Sequence, residues 1–296
     1  MPDNYIFNSD FTRYKKAKPI IGFVTLGDKK HKSYDIISSA DVSQQEISDY
    51  AHGKELHIKN GNLYPRFQTF DPNVAGEHGY MFCCLLIGEH GSGKTTMAAK
   101  LAKIWRKQNK KSEGNIFLIS TQNDECISKL NPIRINCTNP SKIEENFLDP
   151  ETMVRFVDEN DESEFENGLV IVDDLEGLQS PSGSAKEKKA ILDAIYTNII
   201  NPILFTGRHH NCSIIIIRHG MNLTKPEERA ILNESDFIGL FPHKSAPQRI
   251  RYILERYCCL PKKYVEKVVS LNSRYLIHHN RYPSVTICEH DILQHL

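Results

Sequence analysis

Nothing in this chain marks it for a membrane or a secretory route. Its longest clean apolar run, Met81 to Ile87, falls far short of the roughly 20 residues that a spanning helix requires. The opening residues, MPDNYIFNSDFTRYKK, lack the basic-then-apolar order of a signal sequence, so the expectation is a protein that is not secreted. There are eight cysteines but no C-x-x-C spacing, which argues against a zinc ribbon or redox dithiol and for reduced thiols. Net charge is lacking too: 37 basic residues balance 37 acidic ones. That excludes a surface that coats nucleic acid throughout and confines any such contact to local basic patches. No repeat or compositionally simple stretch is visible. What is present is ordinary for a globular chain, 40% hydrophobic and 25% charged over 296 residues, with room for roughly two domains or one core with extensions.

The hydrophobic pattern divides the chain into three. Residues 1–78 are polar and mixed; Pro19 to Leu26 reads as a short strand. Glu55–Lys59 and Asn62–Tyr64 read as a hairpin closed by Asn60-Gly61, since Asn-Gly accepts the positive φ of a tight turn. This is an N-terminal β-containing extension. From 79 to 245 the pattern changes to solid apolar runs: MFCCLLI (81–87), IFLI (116–119), LVIV (169–172), ILF (203–205), IIII (214–217) and FIGLF (237–241). Strands apolar on both faces, alternating with helical segments, predict a three-layer α/β core with a mainly parallel sheet. Met97, Leu101, Ile104 and Trp105 recur at helical spacing, which predicts an amphipathic helix from Lys94 to about Gln108. Residues 246–296 form a small appendage, with a helix from Lys262 to about Leu271 and two short strands joined through Asn280-Arg281. The acidic stretch 139–167 is expected to contain a short helix near Pro150 to Val157.

Three constellations carry chemistry. Gly88-Glu89-His90-Gly91-Ser92-Gly93-Lys94-Thr95 is a complete G-x-x-x-x-G-K-[ST] between an apolar strand and an amphipathic helix, with Thr96 next in line. Its glycines let backbone N–H groups curl around phosphate oxygens at a helix N-terminus. Lys94 would meet the β- and γ-phosphates of a nucleotide, and the Thr95 hydroxyl would ligate Mg²⁺. The apolar strand Leu169–Val172 ends in Asp173-Asp174, which puts Asp173 toward the metal and Asp174 where it can polarise an attacking water. Glu176 is an alternative base. The third constellation is Phe205-Thr206-Gly207-Arg208-His209-His210, followed by Ile214 to Ile217, Arg218 and His219.

In this order, the phosphate loop, the strand ending in DD and the G-R-H segment resemble the genome-packaging ATPases of large DNA viruses, the poxvirus type, within the FtsK/HerA superfamily of P-loop motors. The similarity runs from about residue 81 to 245. It implies an ATPase in which Lys94, Asp174, Arg208 and His219 are catalytic, with Arg208 contacting a γ-phosphate from its own or a neighbouring subunit. His219 stands at the strand-end sensor position, which is usually glutamine in that superfamily. The resemblance further implies ATP and Mg²⁺ as cofactors, a homo-oligomeric ring, double-stranded DNA and viral capsid portal or vertex proteins as partners, and a place in the host cytoplasm, at the virus factory, or in the virion. Two rival readings share these residues: a HerA-like DNA-processing translocase, and a nucleotide-dependent assembly or scaffold protein. Lys186, Lys188 and Lys189, in the segment from Gln179 to Ala190, are the first candidates for DNA contact. The Lys100 to Lys111 helix, or Lys244, Arg249 and Arg251, come next.

Overall fold

The computed structural model describes residues 81–108, 115–122, 124–135, 163, 165–178, 183–220, 225–281 and 284–295, together with the backbone of five earlier strands. The expected helix near Pro150 to Val157 lies outside these residues. The chain forms two compact units, one of residues 1–75 with 236–296 and one of residues 76–235.

The early strands belong to the first unit. They are β1 (Tyr5–Asn8), β2 (Ile20–Thr25), β3 (Ser33–Ser38), β4 (Lys54–His57) and β5 (Asn62–Pro65). Strand β2 covers the strand expected at 19–26. Strands β4 and β5 do not pair with each other, and the Asn60-Gly61 turn expected between them lies outside the described residues. Strand β5 pairs with β2, Val24 opposite Leu63, in an antiparallel sheet ordered β1-β3-β2-β5. Strand β4 pairs instead with the last strand of the chain, described below. A tight-turn dipeptide permits a hairpin but does not choose partners, and here both flanking strands find other edges.

The second unit is a parallel sheet. Strands β6 (Cys83–Ile87), β7 (Ile116–Ser120), β8 (Ile133–Ile135), β9 (Leu169–Asp173) and β10 (Ser213–Arg218) lie in the order β6-β10-β9-β7-β8. Apart from Ser120 at the end of β7, every residue of β6, β7, β9 and β10 is buried, as the solid apolar runs require of strands covered on both faces. Helix α1 (Lys94–Gln108) starts where the phosphate loop ends and buries Met97, Leu101 and Trp105. A short α2 (Glu125–Ser128) follows β7, its N-terminus capped by Asp124 Oδ1, which accepts from the backbone N–H groups of Cys126 at 2.7 Å and Ile127 at 3.3 Å. These layers give the α/β P-loop fold expected from the runs.

The ILF run at 203–205 is helical, contrary to expectation. Helix α3 (Ala185–Ile195) continues through a π-helical turn at Tyr196–Ile200 into α4 (Asn201–Thr206). Its buried residues, Ile191, Ile195, Ile199, Ile200, Ile203 and Leu204, make one helical stripe, whereas Phe205 is exposed. Three apolar residues cannot separate strand from helix, but the longer stripe does. Pro202 lacks the N–H that an unbroken α-helix needs there, and the wide turn sits just before it. Helix α5 (Pro226–Glu234) completes this unit.

The rest of the first unit begins with β11 (Phe237–Leu240). This strand pairs antiparallel with β12 (Leu276–His279). Between them lie helices α6 (Pro247–Arg256) and α7 (Lys262–Ser270). As expected, β12 forms a hairpin with β13 (Ser284–Cys288) through Asn280-Arg281; β14 (Asp291–His295) follows and pairs with β4, Leu56 opposite Ile292.

Candidate nucleotide site

Register explains why distant residues meet. Parallel pairing sets Ile87 of β6 opposite Arg218 of β10, Val172 of β9 opposite Ile216, and Ser120 of β7 opposite Asp173. Four strands therefore end along one line, the carboxyl edge where α/β sheets carry their ligand crevice. Gly88 N–H donates to Arg218 O at 3.1 Å and extends the pairing into the loop. Gly91 and Gly93 take positive φ, 70° and 93°, which glycine adopts without strain. The loop then turns into α1, whose first regular bond runs from Met97 N–H to Gly93 O. A cavity of about 490 Å³ opens here, lined by His90 through Thr96 and by Gln122, Asp124, Asp173, Asp174 and His219. That volume suits a small-molecule ligand.

Lys94 is only 5% exposed. Its ammonium donates to Glu89 O at 2.8 Å and to Ser92 Oγ at 3.5 Å, and stands 3.4 Å from His219 Nδ1. A cation held among backbone dipoles at a helix N-terminus is a receptor for phosphate oxygens. Thr95 Oγ1 donates to Asp173 Oδ2 at 3.3 Å. Burial pushes the Asp173 carboxyl up to about 6; the Thr95 hydrogen bond and Lys94 work against this, while Asp174 and Asp124 add to it. A hydroxyl and a carboxylate are the hard oxygen ligands that Mg²⁺ takes, with waters and phosphate oxygens filling its remaining positions. A buried carboxylate this costly to ionise is the group a divalent cation would relieve, so the pair fits Mg²⁺. Among the described residues no cluster of three or more His, Cys, Asp or Glu side chains could hold a metal alone.

Asp174 is held from three sides. Its backbone is left-handed, φ 53° and ψ 43°, a conformation aspartate tolerates better than most residues. Thr121 Oγ1 donates to its carbonyl at 3.2 Å and Oδ2 at 3.4 Å; Gln122 Nε2 donates to Oδ2 at 3.1 Å. His219 Nε2 lies 3.4 Å from Oδ1. A neutral His219 ring with its proton on Nε2 satisfies both neighbours, donating to Asp174 and accepting from Lys94. It thereby joins the phosphate-facing cation to the candidate water-polarising carboxylate. Gly177 backs the same carboxylate: a methyl group added there would lie 2.7 Å from Asp174 Oδ2.

The structure thus gathers Lys94, Thr95, Thr96, Asp173, Asp174 and His219, and it adds Thr121, Gln122, Asp124 and Gly177, which local motifs did not mark. Their signal was position, just beyond the carboxyl ends of the IFLI and LVIV runs. Arg208 is not among them. It is exposed in a 3-10 turn, Gly207–His210, that leads into the start of β10. That turn is tied to the amino ends of the strands: Asn167 N–H donates to His210 O, and Cys212 N–H to Gly207 O, both at 2.9 Å. A six-residue strand of about 20 Å separates it from His219. Lys186, Lys188 and Lys189 lie on the first turns of α3, and the side chain of Glu176 is outside the described residues.

The family model of the NACHT domain matches residues 83–221. Uncharacterized protein V3 of Sputnik virophage is 30% identical over 231 residues, which are 77% of this chain and 80% of that protein. Among solved structures, the chain is similar to the genome packaging NTPase B204 from Sulfolobus turreted icosahedral virus 2 in complex with AMPPCP. The identity is 15%, over 68% of this chain and 93% of that one, with a TM-score of 0.40. It is also similar to the pCW3 conjugation coupling protein TcpA with ATPγS, at 9% identity over 90% of this chain and 77% of that one, with a TM-score of 0.39. The chain belongs to the family of virophage protein V3 and is a P-loop ATPase.

Proposed function

We propose that this protein is an ATP-driven motor that translocates double-stranded DNA into a viral capsid. The observation that carries the hydrolytic half of this reading is the hold on Asp174. A carboxylate oriented by Thr121, Gln122 and His219, beside the Thr95–Asp173 pair and 3.4 Å from a ring that also touches Lys94, is arranged to activate water rather than to bind an acceptor substrate. The DNA half rests on the sequence resemblance carried by the phosphate loop, the DD pair and the G-R-H segment.

In this mechanism Lys94 and the loop N–H groups grip the β- and γ-phosphates. Thr95 and Asp173 would hold Mg²⁺, which would supply positive charge against the phosphate oxygens. Asp174 orients the attacking water, and His219 reports the position of Lys94 to it. Arg208 faces the other end of the sheet, so in a ring it would serve a neighbour's nucleotide or none.

The deciding assay is ATP hydrolysis with and without duplex DNA. Lys94→Ala should abolish nucleotide binding or turnover, because it removes the one ammonium in a cradle of dipoles. Asp174→Asn should keep Mg-ATP binding and lower turnover by about 10²- to 10⁴-fold. Parental rates in both variants would refute the site. Turnover in the parental protein that ignores duplex DNA would favour the assembly or scaffold reading.

A further inference from the structure

We propose that the paired helices α6 and α7 form the surface that grips duplex DNA, an assignment that rests on the translocase reading above. The chain as a whole is neutral, yet residues 243–267 carry seven basic side chains against two acidic ones, Glu255 and Glu266. Since the chain has 37 of each, the remainder carries 30 basic against 35 acidic. Residues 243–267 therefore hold a net charge of +5 in a chain that is neutral overall.

The packing fixes which way those charges point. Helix α6 buries Ile250, Ile253 and Leu254, and α7 buries Tyr264, Val265 and Val268, so each helix is pinned by an apolar stripe and turns its other face outward. Arg251 clamps one helix to the other, donating to Glu266 from Nε at 2.9 Å and from Nη2 at 3.0 Å. That bidentate pair uses Glu266 and leaves the arginine a structural part. Arg249, Tyr252 and Arg256, at i, i+3 and i+7, lie along one exposed stripe of α6, and Tyr252 is 48% exposed. Lys262, Lys263 and Lys267 are exposed on α7. The stripe from Arg249 to Arg256 is about 10 Å long, the length of three base steps of a duplex that carries one charge per 1.7 Å of axis. A tyrosine hydroxyl between two arginines suits a run of phosphate oxygens.

The other basic segments carry the argument less well. Residues 94–111, on and after α1, carry seven basic residues and no acidic one, but Lys94 is buried in the nucleotide site and Arg106 is occupied by the Leu130 carbonyl at 2.9 Å, while Lys107, Lys110 and Lys111 lie outside the residues whose side chains are described. On α3, Lys186, Lys188 and Lys189 are interleaved with Glu187 and followed by Asp193.

The test uses the full chain and a fluorescent duplex of about 30 base pairs, with affinity measured by anisotropy across a salt series. The combined variant Arg249→Gln, Arg256→Gln, Lys262→Gln and Lys263→Gln should lose at least about tenfold in affinity. Its slope of log affinity against log salt should flatten by about 0.9 for each phosphate contact removed. Single replacements should each take about 0.9 off the slope, which guards against a combined variant that fails to fold. Basal ATPase activity should stay at the parental level, since none of these residues belongs to the nucleotide site. A triple Lys→Gln variant of Lys186, Lys188 and Lys189 should bind as the parent does. Unchanged affinity and slope in the α6–α7 variants, with the parent binding duplex, would overturn this surface and leave the translocase reading standing. Equal binding of poly-glutamate would also overturn it, pointing to an acidic protein partner. A parent that hydrolyses ATP but binds no duplex at any salt concentration would overturn both.

Discussion

Replacing Asp173 with asparagine should make the metal-free protein more stable while destroying its use of Mg²⁺. Burial raises this carboxyl from 3.8 to about 6. At about 1.4 kcal/mol per decade, ionising Asp173 costs about 3 kcal/mol more in the folded protein than in the unfolded chain. The sign follows from proton binding: the folded state holds the proton more tightly, so stability is highest below 3.8, declines as pH rises toward 6, and stays reduced above it. Asparagine keeps an acceptor for the Thr95 hydroxyl and carries no charge to bury. The gain should therefore be about 3 kcal/mol at pH 7.5 and about 1 kcal/mol at pH 4.5. Near pH 7.5 the transition of the 76–235 unit should rise by about 6 to 12 °C. The assay is thermal melting of both proteins at the two pH values with chelator present, then with excess Mg²⁺. Added metal should raise the parental transition and leave the variant where it is. A variant that is less stable at pH 7.5, or that gains equally at both pH values, would refute the argument that the site is strained by an uncompensated carboxylate.

Gly177→Ala places a methyl group 2.7 Å from Asp174 Oδ2. The carboxylate must then move by several tenths of an ångström, and kcat should fall by about 10- to 100-fold while nucleotide affinity, read by equilibrium titration, is retained. His219→Gln preserves a donor and an acceptor in one side chain and should keep more turnover than His219→Ala; equal losses in steady-state assays would show that the bridge between Lys94 and Asp174 is idle. Because Arg208 lies at the far end of its own strands, mixing Arg208→Ala with Lys94→Ala subunits should restore part of the activity if the arginine acts across an interface. No recovery in assembled mixtures would dismiss that role.

The parts legible in the sequence were those whose information is local. The phosphate loop is a contiguous motif, LVIVDD joins strand and carboxylates in six residues, and the spacing of Met97, Leu101 and Trp105 marks one helix face. His219 is marked only by the strand-end position that the resemblance implies. Thr121, Gln122 and Gly177 were hidden because their meaning depends on strand order: nothing near Ser120 states that β7 will lie beside β9 in register with Asp173. The same blindness explains why β4 and β5 pair with other strands and why the sequence does not name β12 as the partner of β11, since partner choice is a tertiary decision. The helical nature of the ILF segment was within reach, because the stripe from Ile191 to Leu204 was already written in the chain.

The order β6-β10-β9 also bears on how the chain comes to fold. The last strand of the parallel set in sequence is inserted near its middle, so β6 and β9 have no common partner until Ser213 to Arg218 are available. Pairing across such separations is slow, since the loop must be closed before any contact repays it. Until then the Cys83–Ile87 and Leu169–Asp173 strands present open edges of almost wholly apolar sequence, the condition in which strands join other chains. A chain stopped short of Ser213 is therefore a precursor prone to aggregate, and it also lacks His219, so nucleotide turnover that uses the contact between His219 and Asp174 becomes a sign that the sheet has closed.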